Sequence, residues 1–288
     1  MAQRREPSTF DILIAGSCSG CAGVLVCHPF DVVRTRVQSS LIQRGPVDCL
    51  RDVIKELGPR GLYAGFLGPF FAQAVYKAVI FTTNSWVNKN VFPGKKTSQT
   101  LFLSGAIAGS LNAVIVAPVE LLRTRQIVSV SHQNYFAVVR TLLSDGGVRG
   151  MFRGLIPAIA RDGPGIGVYF LTFDHAKRFL TPSSSQNGSI PSASNSLLIK
   201  LLSGSFAGIA FWTLALPVDT VKTIFESSVN MNKSFTLQCS DVYKSVLERG
   251  GWKSLYRAWP VAIGRGIPSA AVTLTTFDIV SEYLTEIN

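Results

Sequence analysis

Apolar and small residues concentrate in long segments along the chain, and shorter polar stretches separate these segments. The pattern predicts six helices, at about 9–38, 66–88, 98–127, 155–178, 196–226 and 260–283. None of these segments is a continuous apolar run long enough to span a bilayer, because small residues and a few charges interrupt each one. Shorter amphipathic stretches near 48–57, 135–144 and 241–248 predict helices that lie on a membrane surface. The Ser/Asn-rich stretch 182–195 predicts a loop.

Three sequence signatures recur in the same order, which indicates an internal repeat. Each copy has a ladder of spaced glycines, then Pro-x-acid-x-x-base, then an aromatic-x-Gly or aromatic-x-Ala element. The prolines of the central signature are Pro29, Pro118 and Pro217. Glycines at every fourth position allow helix backbones to approach closely in lipid. We therefore predict an all-α membrane protein with six transmembrane helices in three tandem pseudo-symmetric repeats, residues 1–96, 97–195 and 196–288, with a short amphipathic helix in each.

Composition supports the membrane assignment. Of the 288 residues, 47% are hydrophobic and 16% are charged, with a net charge of +11, whereas an average soluble domain has about 25% charged residues. A positive chain also suggests a nucleic-acid binder, but the basic residues do not form one face with interleaved aromatics. The stretches 34–60, 123–153 and 222–257 contain 17 of the 28 Lys and Arg residues. All three lie on one side of a six-helix arrangement, as the positive-inside rule requires.

The repeated Pro-x-acid-x-x-base motif places an acid and a base three residues apart, on neighbouring positions of a helix surface. One such exposed pair would contribute little. Three symmetric copies in a bundle instead predict a ring in which each acid pairs with the base of another helix. The predicted pairs are Asp31–Arg123, Glu120–Lys222 and Asp219–Arg34, and we call these six residues the gate ring. Charges inside a membrane are costly unless they are paired, so the ring is predicted to close the central pathway on one side.

On these motifs the chain resembles the mitochondrial carrier family over essentially its whole length. The resemblance implies a six-helix bundle with one central site that opens alternately to each side, located in the mitochondrial inner membrane, although some relatives occupy other organelles. It implies a monomer that takes a small molecule, binds no nucleic acid and needs no cofactor, with cardiolipin as a bound lipid. In the family a glutamine nine residues after the proline braces the matrix-side gate. Gln38 matches this position, whereas Ile127 and Glu226 do not, so one brace is expected.

The resemblance also implies a second gate, on the cytoplasmic side, built from aromatic-acid-x-x-base segments in the even-numbered helices. Residues 173–177 retain both charges, Asp174 and Lys177, while residues 277–281 retain only Asp278 and residues 84–88 have neither charge. One full ion pair, Lys177–Asp278, is therefore expected, and this gate should be weak.

Residues at equal depth in the even-numbered helices form the candidate substrate site. Counting seven and eight residues beyond each aromatic-x-Gly or aromatic-x-Ala element gives three pairs of positions, which match the contact points of the family. The candidate substrate-binding residues are Ala72, Gln73, Lys77, Arg161, Asp162, Arg265 and, beside the first proline, His28. Ionisable residues at this depth mark a functional site by default. The alternatives are that the charged residues pair only with one another or with the backbone, and that His28 is a hydrogen-bonded structural residue.

The adjacent Arg161 and Asp162 suit a zwitterion, because a guanidinium matches a carboxylate and a carboxylate can hold an ammonium. Such a pair resembles the amino acid and carnitine carriers of the family. Tyr76 and Lys77 occupy the region where carriers of basic amino acids place an acid, so we favour a neutral or acidic amino acid or a carnitine-like molecule, moved by exchange. The rival is a dicarboxylate or ketoacid, with Asp162 binding a co-transported proton or pairing with Arg265.

Two other classes of function receive less support. No nucleophile–base motif, P-loop or His-Glu-x-x-His segment is present, so an enzyme is not expected. Cys18 and Cys21 lie in the glycine ladder of the first helix, which favours helix packing over a metal site, and no metal is expected. A non-transporting scaffold on the carrier fold would not need the complete set of alternating charges that this chain retains.

Overall fold

The computed structural model describes residues 9–39, 45–94, 97–128, 135–181, 193–227 and 235–287. These residues form ten α-helices and two 3₁₀ turns, Pro59–Tyr63 and Gly251–Tyr256. The long helices are α1 (Thr9–Ser39), α3 (Leu67–Asn90), α4 (Ser98–Val128), α6 (Leu155–Leu180), α7 (Ala193–Ser227) and α10 (Gly266–Ile287). The short helices are α2 (Pro46–Leu57), α5 (Tyr135–Met151), α8 (Phe235–Gly250) and α9 (Trp259–Gly264).

The long helices form a closed ring around a central axis. Helix α3 packs on α4, α4 on α6, and α6 on α7, while α1 packs on both α3 and α10. The sixth predicted helix is divided at Arg265, where α9 ends and α10 begins. The three repeated prolines lie inside α1, α4 and α7, and each helix continues through its proline. The predicted all-α bundle of six transmembrane helices is confirmed.

The short helices α2, α5 and α8 pack against the ends of the helices that contain the repeated prolines, α1, α4 and α7, one in each repeat, and the three contacts are equivalent. Val33 and Val37 of α1 contact Cys49 of α2. The same arrangement recurs in the second repeat with Leu121, Leu122, Val138 and Leu142, and in the third with Ile224, Val242 and Val246. The amphipathic pattern therefore buries one face of each short helix against the bundle. Most of the predicted loop 182–195 lies outside the described residues, and α7 begins at Ala193.

The glycine ladders do not all pack alike. A Cβ atom on Gly105 would lie 2.9 Å from Cα of Gly167, and one on Gly109 would overlap the backbone oxygen of Asp162. Helices α4 and α6 thus approach closely because these residues are glycines. On α7, by contrast, a Cβ atom on Gly208 would have no neighbour within 4 Å among the described residues, so the packing explanation is wrong there.

Three described helices are long and apolar enough to cross a membrane: Ile14–Ser39, Ser98–Val128 and Ile199–Ser227. The count is four if the bent pair of Pro59–Gln73 and Val75–Asn90 is taken as one span. Helix α6 carries Arg161 and Asp162, which are buried inside the bundle. Such charges lower the hydropathy of a helix without excluding it from the membrane.

Candidate functional site

All three predicted pairs of the gate ring are present. Each pair joins two of the three helices that contain the repeated prolines, α1, α4 and α7. The Nη2 atom of Arg123 lies 2.9 Å from Oδ2 of Asp31, and Nζ of Lys222 lies 2.5 Å from Oε2 of Glu120. Arg34 contacts Asp219 and completes the ring. Each acid stands two residues after the proline of its repeat, so the three acids occupy equivalent positions in α1, α4 and α7. The ring therefore ties α1, α4 and α7 together at one end of the bundle.

Gln38 braces the pair between α1 and α7. Its amide nitrogen donates a hydrogen bond of 2.7 Å to Asp219, and its amide oxygen accepts a bond of 3.3 Å from Thr223. The side chain is buried. These contacts add hydrogen bonds to the Arg34–Asp219 ion pair, as the resemblance implied.

The expectation of a single brace does not hold, because Glu226 occupies the equivalent position of α7. Its Oε1 lies 2.8 Å from Nζ of Lys222, and its Oε2 accepts a hydrogen bond of 2.9 Å from Thr124 of α4. A Cβ atom on Gly154 would lie 2.6 Å from this carboxylate, so the aromatic-x-Gly element leaves the space that Glu226 occupies. The equivalent Ile127 is apolar and packs with Val32 instead.

Arg161 connects the candidate substrate site to the ring. Its Nε and Nη2 donate hydrogen bonds of 2.6 and 3.0 Å to the two oxygens of Asp162. Its Nη1 lies 2.9 Å from Asp219, and its Nη2 lies 2.9 Å from Glu120. All three nitrogens of the guanidinium thus contact carboxylates. The alternative that the charged residues of the site pair only with one another accounts for the Arg161–Asp162 contact. It does not account for the contacts of Arg161 with Glu120 and Asp219 of the gate ring.

Arg265 makes the corresponding contact to the remaining acid of the ring. Its Nη1 donates a hydrogen bond of 2.7 Å to Oδ1 of Asp31, and the side chain is 30% exposed. Trp212 of α7 lies beside both guanidinium groups, with its ring centroid 3.8 Å from Cζ of Arg34 and 5.8 Å from Cζ of Arg265. Trp212 was not predicted, and its position has no signature in the other repeats.

These groups line a central cavity of about 360 Å³. Five of the seven predicted substrate-binding residues lie in its wall: Gln73, Lys77, Arg161, Asp162 and Arg265. The wall also contains Tyr76, Asn112 and Trp212. The Tyr76 hydroxyl and Oδ1 of Asn112 are buried and make no hydrogen bond to any residue that the structure describes. Lys77 likewise pairs with no carboxylate in the described ranges.

Two of the predicted substrate-binding residues, His28 and Ala72, do not line the cavity. His28 is fully buried, and its Nε2 lies 2.9 Å from the backbone oxygen of Ala64, while its ring packs against Tyr63 and Phe66. His28 is therefore a hydrogen-bonded structural residue, because its side chain joins α1 to the turn that follows α2. Ala72 is also absent from the cavity wall, because its neighbour Gln73 takes the inward position.

The residues of the predicted cytoplasmic gate form no pair between helices within the described part of the chain. Asp174 lies 2.7 Å from Nε of Arg178, one turn along the same helix, and Lys177 is exposed. The side chain of Asp278 lies outside the described residues. The Lys177–Asp278 pair therefore stays a prediction.

The family comparison agrees with this geometry. The family described as Mitochondrial carrier protein matches the chain three times, at residues 5–95, 94–184 and 193–288. The chain belongs to the mitochondrial carrier family. As a family member, this carrier is a multi-pass solute transporter of the mitochondrial inner membrane.

Relatives of this carrier have names that indicate different substrates. A glutamate/glycine mitochondrial carrier of Schizosaccharomyces pombe is 30% identical over 295 residues, covering 96% of this chain and 95% of that protein. A basic amino acids transporter of Bos taurus is 29% identical, covering 94% and 91%. A carnitine/acylcarnitine carrier-like protein of Arabidopsis thaliana is 27% identical, covering 93% and 96%. The substrate of this carrier therefore has to be inferred from its own cavity.

Proposed function

We propose that this carrier exchanges small zwitterionic metabolites, amino acids or carnitine-like molecules, across the inner membrane by alternating access. We further propose that it works as a monomer with bound cardiolipin and that it carries no catalytic activity. The observation that carries the proposal is the central cavity, in which cationic donors and unsatisfied acceptors face the same small volume.

The carboxylate of the substrate would bind Arg265. Arg265 uses one nitrogen on Asp31, so the rest of its planar donor fork remains for a ligand. The volume of about 360 Å³ is at the lower end of the range for ligand pockets, which favours a metabolite of amino acid size over a nucleotide.

The ammonium of the substrate would bind Asp162 and Asn112. A carboxylate offers about four acceptor positions, and Arg161 donates two hydrogen bonds to Asp162. Oδ1 of Asn112 is a buried acceptor with no partner among the described residues. Burying an acceptor without a hydrogen bond is unfavourable, and an ammonium in the cavity would satisfy it.

Substrate binding would act on the gate through the same arginines. A substrate carboxylate that binds Arg265 competes with Asp31, and an ammonium at Asp162 weakens the hold of Asp162 on Arg161. Breaking one buried ion pair costs about 3–5 kcal/mol, so the ring opens only when new contacts offset that cost. With the matrix-side ring closed and Lys177 exposed, the conformation corresponds to the state that accepts substrate from the cytoplasmic side.

A dicarboxylate or ketoacid is the second candidate. Each carboxylate in the cavity wall already contacts at least one cation. None of them is left unpaired for the ammonium of a substrate, which favours an anionic substrate. A carrier-fold scaffold without transport is the third reading, and the complete gate ring argues against it.

Uptake by proteoliposomes containing cardiolipin tests the proposal. Vesicles would be preloaded in turn with neutral, acidic and basic amino acids, carnitine, dicarboxylates and nucleotides, and exchange against each external substrate would be measured. We expect exchange of an amino acid or carnitine that Asp162→Asn abolishes. The matched control is Glu248→Gln, since Glu248 is exposed on the short helix α8 and lies outside the cavity wall.

The alternatives give different results. Exchange of dicarboxylates or ketoacids alone would contradict the role of Asp162 and favour the second candidate. A protein that is folded and reconstituted but transports nothing would favour the scaffold. Equal loss of activity in Asp162→Asn and Glu248→Gln would remove the argument for a specific ammonium site.

A further inference from the structure

The cavity wall has one more cation than carboxylates. Its cationic residues are Arg34, Lys77, Arg123, Arg161, Lys222 and Arg265. Its carboxylates are Asp31, Glu120, Asp162, Asp219 and Glu226. Every one of these except Lys77 takes part in an ion pair. The surplus positive charge is therefore located at one residue.

Lys77 is held at the wall by its packing against α1. If Gly20 carried a Cβ atom, that atom would lie 3.2 Å from Nζ of Lys77 and 3.2 Å from Cγ of Gln73. The ammonium thus lies against the bare backbone of α1, in a space that the glycine leaves. The neighbouring Tyr76 also lines the cavity, and its hydroxyl has no hydrogen-bond partner in the described ranges. Two adjacent donors on α3 are therefore available to a ligand.

We infer that Lys77, supported by Tyr76, selects substrates with a second carboxylate, and that the preferred substrate is an acidic amino acid. This inference rests on the proposed function. A neutral zwitterion satisfies Arg265 and Asp162 but leaves the half-buried ammonium of Lys77 without a counter-charge, which is unfavourable inside the membrane. A basic amino acid adds a further positive charge. An acidic amino acid brings its α-carboxylate to Arg265, its α-ammonium to Asp162 and its side-chain carboxylate to Lys77.

Competition between glutamate, glycine and lysine in cardiolipin proteoliposomes tests this assignment. The ratio of glutamate to glycine exchange at limiting concentration would be compared for the wild type, Lys77→Gln and Lys77→Arg. We expect wild-type preference for glutamate, a decrease of this ratio by about tenfold or more in Lys77→Gln, as for the loss of one charge-assisted contact, and retention of the preference in Lys77→Arg. Lys89→Gln is the matched control, since Lys89 is exposed near the end of the same helix.

The outcomes separate this inference from the proposed function. An unchanged ratio in Lys77→Gln, or a wild type that prefers glycine or lysine, overturns the role of Lys77 while amino acid exchange itself stands. Absence of any amino acid or carnitine exchange by the wild type contradicts the proposed function and the inference with it. If Lys77→Gln does not fold, Tyr76→Phe replaces it, and an unchanged glutamate-to-glycine ratio there counts against the inference.

Discussion

The carboxylate of Glu226 lies 2.8 Å from the ammonium of Lys222, which in turn lies 2.5 Å from Glu120. Lys222 is therefore held between two carboxylates, one in the gate ring and one in a brace. We expect Glu226→Gln to retain a hydrogen bond with Thr124 but to lose the second ion pair. The folded state should lose about 1–3 kcal/mol, which a thermal unfolding assay of the purified carrier in detergent would detect as a lower midpoint.

Gln38→Glu is the informative counterpart, because it places a second carboxylate next to Asp219. Like charges in a buried site are unfavourable, so this variant should unfold at a lower temperature than Glu226→Gln. If Glu226→Gln is as stable as the wild type, Glu226 contributes nothing to the closed ring.

Gly109 and Gly208 offer a direct test of the close approach between α4 and α6. Gly109→Ala would force its new methyl group into the backbone of Asp162, so the helices must separate. Overpacking of this kind costs about 1–3 kcal/mol or more. Gly208→Ala places a methyl group where nothing lies within 4 Å among the described residues, and it should gain up to about 1 kcal/mol from helix propensity. Folded yield and thermal stability would distinguish them, and equal effects would contradict the packing argument.

The repeats explain why so much of the fold could be predicted. Helix positions and the pairs of the gate ring follow from three aligned motifs, because threefold symmetry limits the partners of each acid. Residues that occur in one repeat only could not be found by aligning the repeats. Trp212 lies five residues before its proline, where the other repeats have Val24 and Ala113. The contacts of Arg161 with Glu120 and Asp219 were also not predicted, since spacing along one helix does not identify a partner on another.

The position of His28 predicts a structural rather than a substrate-binding effect. His28→Ala removes the hydrogen bond to Ala64 and the ring contacts with Tyr63 and Phe66. We expect a loss of about 2–4 kcal/mol in stability, while the KM of the exchanged substrate stays within about twofold in the protein that remains folded. His175→Ala, at an exposed position of α6, removes one hydrogen bond of 3.0 Å to Ser98 and should lower the stability by no more than about 1 kcal/mol, with KM unchanged. A large increase in KM without loss of stability would instead place His28 in contact with substrate.

The cytoplasmic gate can be tested through Lys177, the one base in its motif. With the matrix-side ring closed, Lys177 is exposed and forms no ion pair within the described part of the chain. Its pair with Asp278 is expected only in the opposite state of the cycle. Lys177→Ala should therefore destabilise that state and leave the present one unaffected.

For a partly exposed pair worth about 0.2–1 kcal/mol, the expected effect is modest. Exchange should become about two- to fivefold faster, or substrate should leak from preloaded vesicles, when initial rates are measured in proteoliposomes. Lys200→Ala, an exposed lysine on α7, controls for the loss of one positive charge. A Lys177→Ala rate equal to that of the control would mean that no ion pair at this end limits the cycle. The closed state on the cytoplasmic side would then depend on helix packing alone.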